Sequence, residues 1–175
     1  MAEAALLRRP AGADSRSDEA PAYDLIELFF FAYRDFVADP DRLLQQYGFG
    51  RAHHRVLHFV ARRPGLAIAD LLDILKITKQ SLNRVLKELV DTGFIEQRPG
   101  LSDRRRRLLY PTEAGRDLAG RLARLQTRRI ARALQGDDGR LEADAARFLL
   151  AMIDPAERGR VAALRGEPDG PRGPA

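Results

Sequence analysis

The sequence predicts a mainly α-helical domain carrying one small β-hairpin, and three observations predict it. Apolar residues recur at helical spacing along most of the chain from Asp24 onward. Two of these stripes lie close together, joined only by the tight Lys76-Ile77 connection. Directly after them, two short strand-like pieces flank a turn rich in Pro, Gly and Arg, and the helical pattern then resumes.

Taken in order, Asp24 to Ala38 reads as a first helix, with Leu25, Leu28, Phe29, Ala32 and Phe36 on one side. Asp39-Pro40-Asp41 is expected to interrupt it, because proline disfavours helix at the residue before it. Tyr47-Gly48-Phe49-Gly50 reads as a turn, and Arg51 to Arg63 as a second helix stopped by Pro64-Gly65. Ile68, Leu71, Leu72 and Leu75 then give a short buried stripe. Thr78 is placed to cap the next helix, whose stripe is Leu82, Val85, Leu86, Leu89 and Val90. Gly93 falls where a left-handed residue ends a helix. Phe94 to Arg98 and Arg107 to Tyr110 are the two strand-like pieces, with Pro99 to Arg106 as an Arg-rich hairpin tip. Thr112 caps a long helix from about Glu113 to Leu134, Gly136-Asp137-Asp138-Gly139 breaks it, and a last helix runs from about Leu141 to Ile153 with a further turn toward Leu164. Residues 1–22 read as a disordered leader and residues 166–175 as a flexible tail, leaving one domain over 23–165.

Composition narrows the class. There is no cysteine, which excludes disulfides, thiolate metal sites and thiol redox sensing. No apolar run is long enough to span a membrane, and the N-terminal region lacks the apolar stretch of a signal peptide, so the expected location is the cytoplasm. The net charge is +5, and nine cations against four carboxylates between Lys76 and Arg107 account for all of it. A basic segment concentrated inside a structured region is the footprint of a polyanion binder.

Two short helices, a tight turn between them and a basic hairpin after them make a winged helix-turn-helix. The second helix buries one stripe and turns Lys79, Gln80, Asn83, Arg84 and Lys87 the other way. Asn and Gln suit adenine and Arg and Lys suit guanine in a major groove, and Thr78 and Ser81 stand at the end of the helix that reaches base edges. The hairpin brings Arg104, Arg105 and Arg106 beside the duplex, where a narrow minor groove attracts inserted arginine. Asp103, set among these arginines, is expected to pair with a neighbouring Arg and hold the wing's shape.

Four runs resemble the MarR family of bacterial regulators: Leu71 to Leu82, Leu89 to Ile95, Asp103-Arg104-Arg105, and Pro111-Thr112-Glu113-Ala114-Gly115-Arg116. The Asp-x-Arg of the wing and the Thr-x-x-Gly at Thr112 and Gly115 are the most specific of these. The stretches Phe29 to Arg34 and Gly50 to Leu57 resemble an alphaproteobacterial subgroup labelled PetP-like. The resemblance implies a homodimer on double-stranded DNA at a pseudo-palindromic operator. It implies a DNA-binding lobe over about 51–112 and dimerisation helices over about 23–48 and 113–165. It makes Arg105 the minor-groove residue and Asp103 its support. It also implies release by a small-molecule effector between the two regions. Pro111 departs from the family, which usually has Leu there, so the second wing strand must end at Pro111 or lie on an edge.

Blander readings stand beside these. His54 and His58 share a helix face, but a metal site needs more ligands and there is no cysteine, so no metal or other cofactor is expected. Phe29, Phe30, Phe31, Tyr33 and Phe36 read mainly as core and dimer interface, with Tyr33, Tyr47 and His54 as candidates to line an effector pocket. No catalytic motif is present, and the chain is read as a non-enzyme. Two alternatives remain open: an architectural DNA-binding protein without a ligand response, and a protein-interaction module on a winged-helix scaffold.

Overall fold

The computed structural model describes residues 21–100, 103 and 105–166. Residues 1–20 of the expected leader, residues 167–175 of the expected tail, Arg104, and the tip residues Leu101 and Ser102 lie outside the described residues. The described elements are α1 (Tyr23–Gln45), α2 (Arg51–Arg62), β1 (Leu66–Ala67), α3 (Ile68–Leu75), α4 (Lys79–Asp91), β2 (Ile95–Pro99), β3 (Arg107–Pro111), α5 (Glu113–Ala133), α6 (Arg140–Met152) and α7 (Pro155–Gly166). No helix among the described residues is long and apolar enough to cross a membrane.

The chain divides into two compact units, residues 1–35 and 36–175. The first contributes the opening turns of α1. There Arg34 pairs with Asp35 at 2.8 Å and stands over the Phe31 ring. Its large apolar side chains are exposed, from 42% at Phe29 to 68% at Phe30.

The second unit holds the core. Leu44 of α1, Val56, Leu57 and Val60 of α2, Leu71 and Leu75 of α3, and Leu82, Val85, Leu86 and Leu89 of α4 are buried together. Ile95 and Leu109 from the sheet and Leu118 and Leu122 from α5 close it. Each helical set repeats every three or four residues, so one face of each helix is inside and the other is left for solvent. The stripes expected on α3 and α4 are therefore the buried faces, with Ile68, Leu72 and Val90 at their margins.

Two expectations need correction. Asp39-Pro40-Asp41 does not end the first helix; α1 continues through Pro40 to Gln45. Proline costs the helix one hydrogen bond there. Burial of Val37, Pro40 and Leu44 on the same face, and the ion pair of Asp39 with Arg129 of α5 at 3.2 Å, outweigh that loss. The sheet also has a third strand, in the order β1-β3-β2, all antiparallel. Strand β1 has only two residues, Leu66 and Ala67, opposite Leu109 and Leu108, which is too short for any alternation to show in sequence. Because β1 stops at that register, Pro111 lies at the end of β3 beyond it and has only β2 beside it, opposite Ile95. The missing N–H of Pro111 thus breaks no ladder.

Candidate nucleic-acid interface

The site is built on the α3-turn-α4 unit. Lys76 closes α3 in the left-handed conformation, with φ 51° and ψ 45°. A non-glycine residue there costs about 1–2 kcal/mol, and the side chain that bears this cost reaches Asp73 at 2.9 Å and Glu157 at 3.2 Å. Thr78 then caps α4: its hydroxyl oxygen accepts the Ser81 backbone N–H at 3.2 Å and donates to the Ser81 hydroxyl at 2.9 Å. The expected cap is thus formed, and it fixes the start of α4.

Burial of Leu82, Val85, Leu86 and Leu89 leaves Lys79, Gln80, Ser81, Asn83, Arg84 and Lys87 exposed. Lys87 is tied to Asp91 one turn on, and that hydrogen bond, together with the carboxylate's charge, raises its pKa above the ordinary lysine value. It therefore presents a firmly protonated but partly neutralised ammonium. One residue on, Glu88 of α4 meets His53 of α2 at 2.6 Å, a contact the sequence did not indicate.

The wing follows. In the register of β2 and β3, Arg98 faces Leu108 and Pro99 faces Arg107, and the Arg98 guanidinium stands 4.5 Å from the Tyr110 ring centre. Gly100 is buried at the turn, where a Cβ would meet the Asp103 carbonyl oxygen at 2.8 Å. Asp103 Oδ1 accepts the backbone N–H of Arg105 at 2.9 Å, a main-chain contact with a neighbouring arginine. The Arg105 side chain is exposed. Arg106 turns back instead, with its guanidinium 3.8 Å from Asp70 at the start of α3. Arg104 lies outside the described residues.

Behind the wing, Thr112 makes the joint. Its hydroxyl donates to the Gly93 carbonyl at 2.7 Å and accepts the Gly115 N–H at 3.1 Å. Gly93 has φ +76°, and Gly115 sits so close to β2 that a Cβ would fall 2.0 Å from the Phe94 carbonyl oxygen.

The three candidate pocket residues are placed differently from one another. Tyr33 belongs to the unit of residues 1–35 and is exposed. The Tyr47 hydroxyl accepts from Arg121 at 2.8 Å while its ring packs edge-on to Phe94. His54 is half-buried; burial lowers its pKa below the ordinary histidine value, and the nearby His58 lowers it further against a weaker opposing effect of Asp41. Neither Tyr47 nor His54 lines the cavity of about 620 Å³ that opens between α2, α3 and α7.

A capped helix with a polar outer face, set between a left-handed turn and an arginine-bearing hairpin, defines a winged helix-turn-helix DNA-binding protein. The family model described as MarR family matches residues 47–106, the span from the end of α1 to the wing. The chain is 48% identical over 133 residues to the HTH-type transcriptional regulator PetP of Rhodobacter capsulatus, covering 76% of this chain and 80% of that protein. The fold is also that of the transcriptional regulator SlyA, with a TM-score of 0.62 at 21% identity over 74% of this chain and 91% of that one. Streptococcus pneumoniae FabT in complex with DNA gives a TM-score of 0.67 at 16% identity over 75% and 94%. The chain belongs to the MarR family; it is a DNA-binding transcriptional regulator and not an enzyme.

Proposed function

We propose that the protein acts as a homodimer on a pseudo-palindromic operator, with α4 in the major groove and the wing at the flanking minor groove, and that a small ligand releases it. The observation that carries the DNA reading is the single exposed face of α4. Lys79, Gln80, Asn83 and Arg84 stand together there, supported by the Thr78–Ser81 cap, with the exposed Arg105 on the wing of the same lobe. Lys79, Gln80, Asn83 and Arg84 read base edges, while Lys87, held by Asp91, contributes to phosphate attraction. Arg105 enters the minor groove, Asp103 holds its backbone, and Arg106 serves the wing's packing against Asp70 more than the duplex.

Dimerisation rests on exposed apolar surface. Leu28, Phe30 and Phe31 of α1, and separately Leu141, Phe148, Leu149 and Met152 of α6, are all about half exposed or more. Surfaces of this kind mark interaction sites. A two-fold dimer sets half-sites about 10 bp apart.

Selection of bound sequences from a random duplex pool at two salt concentrations tests the reading. Enrichment of a two-fold symmetric site is the expected result. Salt-sensitive binding with no enriched site points to an architectural role, and no binding at all points to a protein-interaction module.

A further inference from the structure

The second half of α5 carries arginine without acid. Arg121, Arg124, Arg128, Arg129 and Arg132 fall between Arg121 and Ala133, and no carboxylate does. Arg129 turns inward to Asp39 at 3.2 Å, and Arg121 donates to the Tyr47 hydroxyl at 2.8 Å. Arg124, Arg128 and Arg132 are exposed, and among the described residues none of the three is in an ion pair. Set four residues apart, they share one helix face in a row about 12 Å long, at about 1.5 Å of rise per residue.

Like charges one turn apart repel and destabilise a helix. The helix dipole offsets this only for a cation in the last turn, where Arg132 lies. Arg124 and Arg128 lie farther back and gain nothing from it. The row is therefore a cost to α5 taken alone.

The same row borders a cavity of about 560 Å³ between α1 and α5. Leu125 and Ala131 form its apolar part, with Arg128, Arg132 and Gln135 around them. Its one lining carboxylate, Asp39, is already engaged by Arg129 and Arg42. Ile130, half exposed and apolar, is two positions from Arg128 and so on the opposite side of the helix. A second copy packed on Ile130 leaves the arginine row open.

We propose that this face docks an acidic helix of a partner protein, with carboxylates at the same one-turn spacing and one apolar side chain seated against Leu125 and Ala131. Charge complementarity selects the occupant. Each guanidinium fork can meet a carboxylate through two hydrogen bonds. The apolar seat beside the row suits a peptide side chain, and a sugar-phosphate backbone has no group to fill it.

The experiment is fluorescence anisotropy of a labelled, alanine-based helical peptide, titrated with the full chain. The peptide bears glutamate at every fourth residue and leucine beside the glutamates. Two sister peptides carry glutamine for glutamate or alanine for leucine. The parent peptide is expected to bind at least about tenfold more tightly than the glutamine peptide and at least about threefold more tightly than the alanine one. Arg128→Glu with Arg132→Glu is expected to weaken the parent peptide by about tenfold or more, and Arg128→Gln with Arg132→Gln carries the test should the reversed pair fail to fold. Lys79→Glu with Arg84→Glu, on the other basic face, is expected to leave peptide affinity within about twofold. The glutamine variant is expected to melt no lower than the unmodified chain, since it relieves repulsion; a clear fall assigns the arginines to the fold and overturns the surface. No peptide binding, equal binding of all three peptides, or peptide affinity unchanged in the Arg128 and Arg132 variants overturns it too. Loss of affinity for a selected duplex in those variants, with peptide affinity unchanged, assigns the row to phosphate instead. A smaller assembly of those variants by light scattering assigns it to a second copy of this chain, and either result overturns the proposal.

Discussion

His53 Nε2 and Glu88 Oε2 lie 2.6 Å apart and join α2 to the recognition helix α4. The other ring nitrogen accepts the Gly50 backbone N–H at 3.1 Å, so Nε2 carries the proton and donates to the carboxylate. The ring also stacks on Phe49 with centroids 4.7 Å apart. His53→Ala removes all three contacts. With Glu88 almost half exposed, the hydrogen bond to its carboxylate contributes only about 1 kcal/mol. The expected outcome is a modest fall in melting temperature with a larger loss of sequence discrimination, as α4 loses a fixed point. His53→Gln, which keeps a donor, should recover part of the discrimination; equal discrimination in all three proteins would show that the contact does not orient α4.

Gly115→Ala should be severe. Its Cβ would overlap the Phe94 carbonyl oxygen at 2.0 Å, and backbone on both sides must move. A loss of more than about 3 kcal/mol in urea unfolding is expected, in the range of the most damaging substitutions. Gly120→Ala is the internal control. Its Cβ meets only the flexible end of Arg124, and α5 should gain up to about 1 kcal/mol from the better helix former.

Arg105→Ala should weaken DNA binding and reduce the slope of log affinity against log salt by about 0.9, the share of one lost cation. Asp103→Ala should reduce affinity too, because the Arg105 N–H loses its acceptor, but with a slope closer to that of the unmodified protein since no cation is removed. Titrations at three salt concentrations separate the two.

Asn83→Ala and Arg84→Ala, on the exposed face of α4, should relax sequence preference by about 1–3 kcal/mol at one base position each. Competition binding with single-base variants of the selected site measures this. A uniform loss across all duplexes would assign the residue to phosphate.

His54 and His58 should make stability fall in mild acid. Both have folded-state pKa values below the ordinary value, chiefly through burial. The unfolded chain takes up protons near pH 6.5 while the folded chain resists them, so stability present above about pH 6.5 is lost as pH falls toward the folded pKa values. His54→Gln should flatten melting temperature against pH in that window; an unchanged curve would show that His54 does not contribute.

What the sequence revealed were features whose cause is local. The Leu82, Val85, Leu86, Leu89 stripe encodes a helix and its buried face within three turns, and the hydroxyls of Thr78 and Thr112 cap helices three residues away. Pro40 misled because the local cost of proline is visible in sequence, whereas burial of Val37 and Leu44 and the Asp39–Arg129 pair depend on residues far along the chain. The His53–Glu88 contact and the cavity under α7 were missed for the same reason: partners 35 residues apart, and walls drawn from three separate helices, leave no periodicity to read.

The Thr112 hydroxyl binds the residues on both sides of the joint, Gly93 before β2 and Gly115 in α5, and Gly115 leaves no slack against Phe94. Wing and α5 are therefore joined with little play between them. The 21 residues of α5 make an arm about 30 Å long, at about 1.5 Å of rise per residue. A tilt of about 10° at the far end of a 30 Å arm moves the near end by about 5 Å, roughly one helical turn of rise. With the joint held by Thr112, a small angular change at the C-terminal end of α5 would reach the wing as a displacement of that size.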